Sequence, residues 1–192
     1  DLFETGKWTQ AYSVSGGYKR SDGGTENSDF EKGQGYGNLS FSYDQRFDII
    51  AQLGIASQSY GANTFYSAKY NNQYEKTDHG LASLNLSLHN QEKTWEIAPQ
   101  FYYNKFKDHY QMIRGKAGAA AGENYHDLDV YGGGLNANVA WALGKTAVGF
   151  DISKECIYST ALGEELAEKD YKDISGSEIG RASCRERVST FV

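Results

Sequence analysis

The chain has 192 residues, 39% hydrophobic and 23% charged, which is enough apolar material for a folded domain. Its net charge of −6, with no basic stripe, excludes an electrostatic nucleic-acid binder. No apolar run approaches the roughly 20 residues of a membrane-spanning helix. The counts of Gly 22, Tyr 15 and Phe 9 against Pro 1 favour strands and turns, so the expected class is all-β.

The opening residues, DLFETGKW, lack the charged and apolar regions of a signal peptide, so either the protein is not exported or its beginning is missing. From Trp8 the chain alternates with period two. Trp8, Tyr12, Val14 and Tyr18 share one face of a predicted strand, and Thr9, Ser13 and Ser15 share the other. Leu39, Phe41 and Tyr43 repeat the pattern, and beyond a short turn so do Phe47, Ile49, Ala51, Leu53 and Ile55, which makes a hairpin. A second hairpin sets Ala82, Leu84, Leu86 and Leu88 against Trp95, Ile97, Pro99, Phe101 and Tyr103. A third sets Tyr131, Leu135, Val139 and Trp141 against Val148, Phe150 and Ile152 across the turn ALGK. Pro99 lacks a ladder donor, and a bulge is expected there.

Between the hairpins lie long polar stretches: residues 20–34, 57–78, roughly 107–124 and 155–177. Short turns at one end and long loops at the other are the habit of bacterial outer-membrane barrels. A soluble β-sandwich also alternates, but with shorter loops. Two details favour the barrel: predicted strands of ten or more residues, and tryptophans (Trp8, Trp95, Trp141) near strand ends, where girdle aromatics belong. Each tryptophan taken singly is equally consistent with core packing. The expected fold is an antiparallel up-and-down transmembrane β-barrel, present in part as about seven to eight strands.

The last stretch breaks this pattern. IGRASCRERV, from Ile179, clusters Arg181, Arg185 and Arg187, and it resembles a reading frame of a common sequencing adapter. The chain therefore divides into residues 1–178, a partial barrel domain, and residues 179–192, an expected non-native tail. Of the two cysteines, Cys156 and Cys184, only Cys156 then remains, so neither a disulfide framework nor a metal motif is expected.

Four segments carry a family resemblance. They are YKRSDGGTENSDF (Tyr18 to Phe30), GANTFYSAKYNNQYE (Gly61 to Glu75), WEIAPQFYYNKFKDHYQMIR with its internal proline before paired aromatics, and HDLDVYGGGLNANVAWALGKTAVGFDISKECIYSTALGE. Together they span roughly residues 10 to 178, and the chain resembles an internal barrel fragment of a TonB-dependent outer-membrane receptor, most closely the cobalamin-receptor-like branch. Asn71 stands where that family often has proline, and Cys156 where a polar or acidic residue is common. No plug domain, TonB box or later strands are found, so this piece alone is not expected to transport.

The resemblance implies a Gram-negative outer-membrane location and a barrel of about 22 strands filled by a plug. It also implies energy-coupled import of a scarce large solute, cobalamin or an iron chelate. Implied partners are the TonB complex through the missing plug, cobalamin or an iron chelate as ligand, and outer-membrane lipid; nucleic acid is not among them. No cofactor is implied. The alternatives are a passive porin-like barrel, a barrel-anchored enzyme, which would need a Ser/His pair in its wall, and a soluble β-sandwich adhesive domain.

Binding without covalent chemistry needs aromatic surface with a few placed polar groups. The loop from Gly61 to Glu75 offers Asn63, Phe65, Tyr66, Tyr70 and Tyr74 as candidate ligand-binding residues, beside Lys69 and Gln73. The alternative is that these aromatics hold the loop in place against its neighbours, as aromatic residues in a loop more often do. The acidic loop with Asp22, Glu26, Asp29 and Glu31 lacks EF-hand spacing, so no metal site is assigned. Alternation puts His126 on the opposite face from Asp127 and Asp129. Neither a nucleophile with its base, nor H-E-x-x-H, nor a phosphate loop occurs, and Gly132 to Gly134 lie in a strand pattern, so an enzyme is not expected.

Overall fold

A computed structural model describes residues 2–118, 121–142, 144–161, 164–165 and 169–180. Ten strands form one antiparallel sheet: β1 (Leu2–Thr5), β2 (Trp8–Ser21), β3 (Phe30–Tyr43), β4 (Phe47–Asn63), β5 (Gln73–His89), β6 (Trp95–Gln111), β7 (Glu123–Trp141), β8 (Gly144–Ala161), β9 (Glu164–Glu165) and β10 (Lys169–Gly180). Each long strand pairs with its neighbours in the chain, in the order β1 to β8 followed by β10, while β9 pairs with β8. The seven long strands β2 to β8 thus run up and down, and among the described residues no pairing joins the two edges.

The predicted hairpins are present in register. Tyr12 pairs with Leu39, Ile49 with Leu86, Phe101 with Leu84 and Leu135 with Phe150, so directly opposed apolar residues share one face across every strand. The strand-borne large apolar side chains that stay exposed lie on this face, with Phe30, Tyr36, Ile50 and Leu81 as exceptions. Val14 is 81% exposed, Ile55 71% and Leu53 65%. The only hydrophobic residues buried among those described are Ala62 and Ala121, so the sheet has no apolar core of its own.

The apolar face is a band with aromatic borders. Trp8 begins β2, Trp95 begins β6 and Trp141 ends β7, which places all three tryptophans at the short-turn end. There Trp8 packs on Tyr43 with ring centroids 4.7 Å apart. At the other border Tyr103 meets Tyr131 at 5.0 Å. Tyr131 and Trp141 are about ten residues apart on β7, or ~33 Å along an extended strand. At a tilt of roughly 45° that projects to about 23 Å, close to the ~25 Å apolar band of outer-membrane barrels.

Short turns close the tryptophan end. Asp44 and Gln45 both have positive φ, 50° and 53°, and Arg46 N donates to Tyr43 O at 2.9 Å, a tight β-turn inside the three-residue connection from Asp44 to Arg46. Asn90 Oδ1 accepts from Thr94 N at 2.8 Å in the next turn, where Lys93 takes φ 50°.

The structure corrects two expectations. First, there is no bulge at Pro99: register between β5 and β6 is the same on both sides of it, and the ladder simply lapses between the Asn85–Gln100 and Leu88–Ile97 pairs. The absent donor of Pro99 faces β5, while on the β7 side Pro99 stays opposite Leu135. Second, the polar stretches are not all loop. β6 runs on to Gln111, β7 starts at Glu123, β8 reaches Ala161, and most of β10 falls in the stretch expected to be loop. Pairing continues past the point where the outward face turns polar, so alternation fades while the backbone ladder does not. The boundary placed at residue 178 falls inside β10, whose Ile179 and Gly180 pair with Ala147 and Thr146. Residues 181–192 lie outside the described residues.

Candidate functional site

The long-loop end is tied into one rim by Arg114, from the β6–β7 loop. Its guanidinium forks onto Asp29 of the β2–β3 loop, with Nη1 to Oδ1 at 2.6 Å and Nη2 to Oδ2 at 2.9 Å. Nη1 also donates to Asn27 Oδ1 at 3.0 Å, and the group lies over the Tyr74 ring at 4.9 Å. Arg114 N donates to Asn72 O at 2.7 Å. The hydrogen bonds from Arg114, first, hold the Asp29 carboxyl below its ordinary range, and Asp29 in turn raises Arg114.

Asn27 completes the tie. Its Nδ2 donates to Gln73 O at 2.6 Å and Asn71 O at 3.1 Å, so loops β2–β3 and β4–β5 share it. Gly61 lies so close beneath that a Cβ there would stand 2.5 Å from Asn27 Oδ1. On β7, Glu123 accepts from Gly118 N at 2.7 Å, from His109 Nε2 at 2.7 Å and from Tyr125 OH at 2.8 Å. The Gly118 N–H is the largest cause that brings its carboxyl down to about 2.

The five candidate residues divide between two tasks. Asn63, at φ 35°, donates from N to Asn27 O at 3.1 Å and from Nδ2 to Glu26 O at 3.1 Å, and Tyr74 carries Arg114, so both belong to the rim's framework. Tyr70 lies under Lys69 Nζ at 5.4 Å, and its carbonyl accepts from Gln73 Nε2 at 3.0 Å. Gln73 itself is fully buried: its Oε1 accepts from Tyr66 N at 3.2 Å while Nε2 also reaches Ser67 O, making it the strut of the loop. Phe65, 79% exposed, stands edge-on to Tyr66 at 4.8 Å.

Tyr66 reaches inward from the loop. Its hydroxyl donates to Glu75 Oε2, lies 3.2 Å from the Tyr60 hydroxyl, and its ring meets Tyr110 edge-on at 5.3 Å. Burial, reinforced by Glu75, holds this phenol above its ordinary range. With Glu75, Asp108, Tyr110, Asn124 and His126 it lines a cavity of about 310 Å³ on the polar face. Strand register builds this site from parts that no single segment contains: Glu75 opposes Tyr60 and Tyr110, Tyr110 opposes Asn124, and Asp108 opposes His126.

Lower on the same face a second hollow, of about 540 Å³, is lined by Tyr36, Gly54, Leu81, Phe106, Leu128 and Val130, with other residues. Leu81 covers Gly54, where a Cβ would come within 2.9 Å of its Cγ, and Tyr102 covers Gly132 in the same way. The triple-glycine run is thus a bed for Tyr102 and its neighbours in a strand.

Other sequence candidates separate. His126 Nδ1 lies 2.6 Å from Ser159 Oγ on the polar face. Asp127 and Asp129 lie on the other face, paired with Lys105 at 2.9 and 2.8 Å. Asp29 is taken by Arg114 and Asp22 by Arg20 at 3.3 Å, so the acidic loop does not converge, and among the described residues no group of three or more His, Cys, Asp or Glu is placed to hold a metal. Sequence reading passed over Arg114, Asn27, Glu123 and Asp108. Compared with protein-family models, with curated proteins and with solved structures, the chain matches none.

Proposed function

We propose that this chain is part of the wall of a transmembrane β-barrel in a Gram-negative outer membrane, belonging to a receptor of the TonB-dependent type that imports a scarce large solute such as cobalamin or an iron chelate. The observation that carries the membrane reading is the exposed apolar band between the Trp8, Trp95 and Trp141 border and the Tyr103 and Tyr131 border. In water so large an apolar patch is costly; against acyl chains it is the matched surface. A soluble sandwich would place a second sheet over it, and no second sheet lies among the described residues. The receptor reading rests on the four resembling segments and is supported by a preorganised aromatic rim at the long-loop end. The plug such receptors contain would lie against the polar face, where the lower hollow offers apolar lining.

Two experiments test this. In liposomes with lipids brominated at graded depths, the three tryptophans should be quenched most by shallow bromines, since they share one border; absence of quenching at every depth removes the membrane reading. Recovering the flanking gene tests the receptor: an upstream frame encoding a plug and TonB box supports it, whereas a signal peptide running directly into Asp1 points to a small barrel.

A further inference from the structure

We propose that the cavity under Tyr66 receives the protonated amine or guanidinium end of a ligand, with Glu75 and Asp108 as counter-charges and the rings of Tyr66 and Tyr110 as walls. This rests on the rim being a ligand-binding mouth, and it narrows the chemistry of what binds there.

Three observations converge. Several carboxylates at this end of the sheet have basic partners: Asp78 has Lys76 at 3.6 Å, Asp127 and Asp129 share Lys105, and Asp29 has Arg114. Among the described residues Glu75 and Asp108 have none, although both face one cavity of about 310 Å³. Next, Asp108 Oδ1 and Asn124 Oδ1, diagonal neighbours on β6 and β7, are shut from water without a hydrogen-bond donor. Acceptors in that state are uncommon, and N–H groups of an entering cation would satisfy them. Tyr66 is the one wall supplied by a loop, so it is the wall that yields to admit such a group. Finally, the walls are tyrosine rings already edge-on to each other at 5.3 Å, and the faces of such rings attract ammonium and guanidinium. A metal dication is the poorer occupant, because the carboxylates and His126 do not form a ligand set. The same charges disfavour an iron chelate with net negative charge.

The test uses the full chain in detergent micelles at low salt, with n-butylammonium chloride as probe and sodium butyrate and 1-butanol as controls, followed by saturation-transfer NMR. Butylammonium should bind and the controls should not. Glu75→Gln and Asp108→Asn should each weaken binding about tenfold or more, and Asp78→Asn, on the opposite face, should leave it unchanged. Equal binding in wild type and both cavity variants, or equal binding of butyrate, overturns the proposal. If either variant loses its sheet signal in circular dichroism, salt decides on the wild type: binding that ignores added sodium chloride overturns it too. Bromine quenching of the same protein in liposomes keeps the readings separate. Quenching without butylammonium binding removes the amine site alone, and binding without quenching removes the membrane reading alone.

Discussion

Leu135 and Asn136 are adjacent on β7, both exposed, and point to opposite faces, so they test the apolar band with one residue of offset. Leu135 opposes Pro99 and Phe150 in the middle of the band. It stands about six residues from Trp141 and four from Tyr131, which at ~3.3 Å per residue and a 45° tilt is about 14 Å from one border and 9 Å from the other. An arginine there sits near the bilayer midplane, where the cost is about 2–4 kcal/mol. That is a factor of roughly 30 to several hundred in the insertion equilibrium. Asn136→Arg adds the same charge to the polar face and should cost about 1 kcal/mol or less. The assay is urea titration of each variant with liposomes, followed by tryptophan emission. Equal penalties for Leu135→Arg and Asn136→Arg, or none for either, would refute a lipid-facing band.

Other outcomes follow from the rim. Arg114→Gln should raise amide hydrogen exchange across residues 64–72 by severalfold, consistent with about 1 kcal/mol for a half-exposed forked ion pair, and Asp29→Asn should match it without adding to it. Because Arg114 depresses the Asp29 carboxyl from its ordinary 3.8, the contribution of the pair is fully present above that value and is lost as pH falls through the lower folded value. Protection at residues 64–72, taken relative to the intrinsic exchange rate at each pH, should therefore be flat from neutral pH to about pH 4 and fall below it, and a fall already near pH 6 would contradict the Asp29 assignment. Gly61→Ala should displace Asn27 and cost about 1–3 kcal/mol of rim stability, read as loss of protection at Asn63 N and Gly61 N together. In a complete receptor carrying this segment, Tyr66→Ala should weaken ligand affinity while Tyr74→Ala loosens the rim through Arg114; unchanged affinity after Tyr66→Ala and Tyr70→Ala would remove the loop from the site.

The strands and their pairing were legible because a half-apolar surface writes period two directly into the sequence, as Phe47 to Ile55 shows. Where both faces are polar, as from Lys107 to Gln111, backbone pairing persists without that signature, and the strand ends were misplaced. The tryptophan border was legible only as a shared position; register turned it into a line. Arg114 and Asp29 are far apart in the chain, and nothing near either residue announces the other. Asn63 and Tyr74 stand out in the sequence as candidate ligand contacts, whereas the partners the fold gives them are framework groups. Asp108 and Glu75 fall in polar stretches that sequence patterning marks as loop, and only the fold puts them on strands facing one cavity.

The strictly sequential strand order also bears on how the chain acquires its structure. Every long strand's partners precede or follow it directly, and the farthest-separated pair, Trp95 and Val139, still belongs to adjacent strands. Strand pairing therefore never has to join distant parts of the chain, and the entropic barrier to forming the sheet stays low for a β-protein of this length. Hairpins such as Phe30–Asn63, nucleated at the Asp44–Gln45 turn, can form as units, and each finished hairpin offers an edge on which the next one grows. Assembly of this kind has a direction but no obligatory first strand, so a pause or break between hairpins leaves a partial sheet with its pairing intact.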